Sequence, residues 1–151
     1  MIRNPGKLFL TLCLLAVGGG VVANAQINTI PGLEADIPFA FVVGDTTLPA
    51  GKYEIKALDD SPNVLELRSA NGRRTVAFET QDAQKPEDQL ASKTELVFDK
   101  VGDQYFLSQI WVVGTATGSE LPKSKTEKAL EDGGSQSEKL SVVAFLKHLN
   151  P

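Results

Sequence analysis

From Asp36 the chain begins to alternate. Ile37, Phe39, Phe41 and Val43 take every second position, the period of a half-buried strand. Pro38 lies inside that run and has no amide hydrogen for a ladder, so this strand is expected at an edge or with an irregular start. Pro49-Ala50-Gly51 turns the chain. Tyr53, Ile55 and Ala57 then alternate with Lys52, Glu54 and Lys56, apolar on one face and charged on the other. Asp59-Asp60-Ser61-Pro62-Asn63 is a cluster of turn formers.

The pattern next specifies two hairpins. Asn71-Gly72 is the preferred pair for a two-residue type I′ loop, whose central residues both need positive φ. That loop sets Leu67 against Val76 and Leu65 against Phe78 on one face, with Arg68 against Thr75 and Glu66 against Ala77 on the other. Turn chemistry and apolar pattern agree independently. The second hairpin joins residues 94–101 to 104–113 through Gly102-Asp103, which suits a type II′ turn and sets Phe98 against Leu107. Its second strand is apolar on both faces. Period two puts Tyr105, Leu107, Trp111 and Val113 on one and Phe106, Ile110 and Val112 on the other. Such a strand is expected to be central and covered on both sides.

Between the hairpins, residues 81–93 carry no aromatic and no β-branched side chain and read as an exposed, mobile loop. Residues 114–122 also read as a loop. Ser124 and Glu127 match a capping box, predicting a short helix through Asp132 that Gly133-Gly134 stops. Residues 140–146 are expected to form a last strand because Val142-Val143 are β-branched, although Val142, Phe145, Leu146 and Leu149 would also stripe a helix. The fold expected is all-β: an antiparallel sandwich or small barrel of about seven strands, with the sandwich favoured and one short helix in the C-terminal half.

The first 25 residues follow a different rule. Arg3 and Lys7 give a positive start, residues 8–17 are apolar apart from Thr11, and Ala23-Asn24-Ala25 offers small residues to a signal peptidase. Cleavage is expected before Gln26. A membrane anchor is the competing reading, but the apolar stretch is shorter than the roughly 20 residues of a stable span, and three consecutive glycines weaken it. A lipid anchor on Cys13 is disfavoured by Leu12 before it. Residues 26–35 then form a flexible lead-in, and 36–151 a single β domain. The expected location is the periplasm or the outside of the cell, with no transmembrane segment after signal removal.

Cleavage alters the charge and the inventory. The segment takes away two cations and no acid, so the net charge of −4 becomes −6. A basic nucleic-acid binder is disfavoured. Cys13, the only cysteine, leaves as well, so neither a disulfide framework nor a thiol nucleophile remains. His148 is the only histidine and reads as a surface residue near the terminus, so no Cys/His zinc site and no evident Ser-His-Asp triad is in view. Neither a phosphate-binding loop nor a dinucleotide fingerprint occurs. Asp59, Asp60 and Asn63 with Glu66 offer oxygen ligands but lack the spacing and central glycine of a calcium loop, and read as a plain turn. Arg68, Arg73 and Arg74 gather at one hairpin tip and read as a solvated end. No catalytic, cofactor-binding or metal-binding residue is assigned.

Leu48-Pro49-Ala50-Gly51-Lys52-Tyr53-Glu54-Ile55 resembles the corner of small extracellular sandwiches such as the prealbumin-like repeats of surface proteins. There the proline and glycine turn the chain and the tyrosine enters the next core. More broadly, the chain resembles short secreted β-rich proteins of unknown function from soil bacteria of the acidobacterial type. The resembling residues are Ile37-Pro38-Phe39-x-Phe41, the Leu48-to-Tyr53 corner, Leu96-Val97-Phe98, Gly102-Asp103-x-Tyr105-Phe106-Leu107 and Glu120-Leu121-Pro122-x-Ser124-x-x-Glu127. The resemblance implies secretion and β structure, and supplies no activity, cofactor or catalytic residue.

Three functions are therefore in view. The first is a non-enzymatic exported module that binds or scaffolds something in the envelope, an envelope protein for instance. The second is a carrier of a small apolar ligand in a barrel cavity, with Tyr105, Leu107 and Trp111 facing the ligand. The third is a hydrolase built on a carboxylate pair.

Overall fold

A computed structural model of the chain describes residues 30–58, 61–86 and 89–147. Ala23, Ala25 and Gln26, expected to mark the signal cleavage site, and also His148, lie outside the described residues. Eleven strands and one helix follow in order: β1 Leu33–Ile37, β2 Phe41–Val43, β3 Thr46–Leu48, β4 Gly51–Leu58, β5 Ser61–Ser69, β6 Thr75–Glu79, β7 Gln81–Gln84, β8 Glu95–Val101, β9 Gln104–Trp111, β10 Thr117–Glu120, α1 Lys125–Asp132 and β11 Ser137–Leu146. They form one nearly closed, barrel-like sheet in the order β3-β2-β9-β8-β11-β1-β4-β5-β6. β7 and β10 make a ribbon that joins through β9.

Two layers enclose the core. The front layer is β1, β4, β5 and β6. The back layer is β3, β2, β9 and β8. β11 belongs to both: residues 137–143 pair with β8, and residues 144–146 turn the corner to pair with β1. The core takes Leu33 and Ile37 from β1, Ile55 from β4, Leu65 and Leu67 from β5, and Leu96 and Phe98 from β8. Each lies fully buried. Burying a side chain of that size contributes on the order of 1.5–3 kcal/mol.

The architecture corrects the expectation of about seven antiparallel strands. The sheet has eleven, and Val42 of β2 pairs with Phe106 of β9 in parallel. The alternating run from Asp36 is not one strand. It breaks at Pro38, which cannot continue the ladder, and β2 leaves in a new direction. β1 itself begins at Leu33, within the stretch assigned to the lead-in, with Leu33 and Ala35 in the core. β7 and β10 replace two expected loops. They pair chiefly through their backbones, so their polar residues gave no apolar signal.

The hairpins keep their expected registers. Leu65 faces Phe78, Leu67 faces Val76, and Phe98 faces Leu107. The tip at Asn71-Gly72 closes differently from a two-residue loop. The Gly72 amide donates to the Ser69 carbonyl at 2.8 Å, so the reversal spans four residues. Side chains complete it: the Asn71 amide oxygen accepts from the Arg73 amide, and the Ser69 hydroxyl accepts from the Arg74 amide. α1 forms where the capping box places it, with the Ser124 hydroxyl accepting from the Glu127 amide at 3.1 Å. No described helix is long and apolar enough to cross a membrane.

Candidate binding site

The three side chains expected to face a ligand do not share a face. Ser108 is a bulge in β9, because Phe98 stands opposite Leu107 while Val97 stands opposite Gln109. One inserted residue reverses the alternation beyond it. Tyr105, Leu107, Ile110 and Val112 consequently point inward, and Phe106 and Trp111 point outward. The inward side of β9 is filled. Phe39 stacks on Tyr105 at 4.1 Å and meets Phe98 edge-on at 5.2 Å, and Phe41 meets both Tyr53 and Phe98 edge-on.

Trp111 is sealed on the other side. It lies with Ala83, Ala91 and Val97, with the Lys85 ammonium 4.4 Å above its ring. Its indole nitrogen donates to the Gln109 amide oxygen at 3.2 Å. Gly118 passes directly over the ring. A Cβ there would lie 2.6 Å from Trp111 Cε3 and 2.8 Å from the Ile110 carbonyl oxygen.

Two carboxylates are buried in the back layer and α1. Asp99 of β8 accepts from the Lys139 ammonium at 2.9 Å. Glu127 of α1 is 3 % exposed, and its Oε1 has no partner. Burial, reinforced by the Asp99 charge, raises the Glu127 carboxyl above its ordinary value of 4.5. Neither carboxylate lines any of the hollows described next.

The outer side of the front layer carries a different feature. The β3–β4 turn lies against the β5–β6 tip, tied by a hydrogen bond from the Ala70 amide to the Lys52 carbonyl at 2.9 Å. Between them is a hollow of about 360 Å³, lined by Lys52, Arg73, Arg74, Ser69, Asn71 and Tyr53, among others. Tyr53 is fixed by donating from its hydroxyl to the Pro49 carbonyl at 2.7 Å. Burial raises its phenol, and the nearby Arg74 guanidinium partly offsets that. Among the described residues, Lys52, Arg68, Arg73 and Arg74 form no ion pair. Glu54, opposite Arg68, is held by Lys147 at 2.8 Å.

A second hollow of about 440 Å³ adjoins the first and shares Lys52, Tyr53 and Ala70 with it. It adds the carboxylates of Glu34, Asp36 and Glu54 and the ring of Phe145, which is 68 % exposed. The three arginines were visible as a group in the sequence. The hollow was not, because it needs the β3–β4 turn against the hairpin tip, and no sequence signal reports that contact. Comparison with family models, curated proteins and solved structures finds no match.

Proposed function

We propose that the protein is a non-enzymatic module, exported to the periplasm or the outside of the cell, that binds its ligand or partner on its outer surface. The observation that carries this reading is the filled interior. The buried rings of Phe41, Tyr53 and Phe98 occupy the space where a carrier would hold its cargo, and half-buried Phe39 and Tyr105 pack against them. Hollows open to a ligand lie on the outside, the two adjoining ones of the front layer among them. The test is titration of the purified protein with a panel of hydrophobic dyes and fatty acids. Dye emission is expected to remain that of dye in water. A saturable, one-to-one emission increase at micromolar dye would sink the reading in favour of the apolar carrier.

A further inference from the structure

We propose that the joined hollows on the front layer bind an acidic saccharide, a sugar unit bearing a phosphoryl, sulfate or carboxylate group. The proposal rests on the surface-module reading and names its ligand class. Four cations, Lys52, Arg68, Arg73 and Arg74, stand around the hairpin tip without an acid bound to any of them among the described residues. In a chain of net negative charge, such a concentration of unpaired cations is a local electrostatic well for an anion. Two are arginines lining the smaller hollow, and guanidinium groups offer paired donors to an oxyanion.

The cradle is held in shape. Arg73 and Arg74 have their backbone amides fixed by the side chains of Asn71 and Ser69. The Ala70 amide ties the tip to Lys52. The guanidinium groups therefore project from a braced turn rather than from a loose loop, which lowers the ordering cost of binding.

The neighbouring hollow supplies what a sugar ring needs. Glu34, Asp36 and Glu54 are hydrogen-bond acceptors for hydroxyl groups, and exposed Phe145 offers an aromatic face to ring C–H groups. The smaller hollow alone, at about 360 Å³, is in the range of small-molecule sites and larger than one inorganic ion would fill. A recessed site of this kind suits an anionic group carried on a sugar better than a flat lipid surface. Glu34 and Asp36 beyond it would repel a second anion placed there, Glu54 being neutralised by Lys147, so the ligand has one charged end.

The test is calorimetric titration of the protein with glucose 6-phosphate, glucose 6-sulfate, glucose, inorganic phosphate and phosphatidylglycerol vesicles. One or both acidic saccharides should bind, and glucose should not. Arg73→Ala with Arg74→Ala should weaken that binding about tenfold or more, as expected for loss of charged hydrogen bonds. These changes keep both backbone amides, so the tip and the thermal unfolding midpoint should be preserved. Phe145→Ala should weaken the saccharide. Lys56→Ala, a cation outside the hollows, should change nothing. Unaltered saccharide affinity in the double arginine variant would overturn the proposal. So would binding of vesicles or inorganic phosphate without either saccharide, or no binding at millimolar concentration. Those failures leave the surface-module reading intact, because only dye uptake into the interior removes it.

Discussion

The front and back layers are built from similar strands but bury themselves differently. In the front layer one face is dry and the other wet. β4 alternates Tyr53 and Ile55 inward with Lys52 and Lys56 outward, and β5 sets Leu65 and Leu67 inward with Arg68 outward. The back layer is covered on both sides. Leu96 and Phe98 enter the main core, while Val97 joins Trp111, and Val101 joins Phe106 and Val42, on the opposite face. The β7–β10 ribbon and α1 accompany that second face, with Leu130 of α1 packed on the Phe106 group. A wet face is tolerant and keeps charge available for binding. A covered face holds two cores at once and leaves little room for variation.

That contrast can be broken most directly at Trp111. If the outer face of the back layer is a true second core, Trp111→Ala should cost about 3–5 kcal/mol in denaturant unfolding, as for other large buried rings. A loss below about 1 kcal/mol would show that face to be mere covering. Gly118→Val should come next, at about 1–3 kcal/mol, because its Cβ cannot coexist with the Trp111 ring and the Ile110 carbonyl in their present places. Red-shifted tryptophan emission should accompany it, and unchanged emission would count against the close approach. At the small end, Lys56→Ala on the front layer should lie within about 0.5 kcal/mol of the parent, since Lys56 is exposed and its ion pair with Glu66 is long, at 3.8 Å.

Glu127 sharpens the comparison by pH. Its folded carboxyl holds a proton more tightly than the unfolded one, first through burial and then through Asp99. Its favourable contribution is therefore complete below the ordinary value of 4.5 and is lost as pH rises through the raised folded value. Glu127→Gln removes that titration while keeping a side chain able to accept a capping bond. The variant should gain on the parent as pH rises from about 4.5 towards neutrality, measured as the difference in unfolding midpoint across that range. A variant that falls further behind the parent towards neutral pH would mean that the carboxylate form is the stabilising one.

The same division explains what the sequence disclosed. The front-layer strands β4, β5 and β6 were legible because a wet face forces period two, and the register at Leu65 and Phe78 followed from the pattern. β8, β9 and the cap of α1 were also legible. The bulge at Ser108 was not. In a strand apolar on both faces, an inserted residue leaves no break in polarity, so Trp111 was assigned to the wrong side. β3 spans three residues, and the β7–β10 ribbon pairs chiefly through its backbone, so neither produces much periodicity. The parallel pairing of β2 with β9 depends on where Pro38 redirects the chain, a tertiary matter. At the candidate site the cations were visible, whereas their enclosure by a turn more than fifteen residues upstream was not.

β11 has a consequence in time. It comes last among the described strands, yet it alone stitches β8 to β1. Until it arrives, both of those strands present unpaired edges, and the two layers lack their seam. The pairing is also remote: Leu33 meets Leu146 across almost the whole described chain, the kind of long-range contact that slows folding. A sheet that cannot shut before β11 emerges keeps its polypeptide open, and so threadable, for longer.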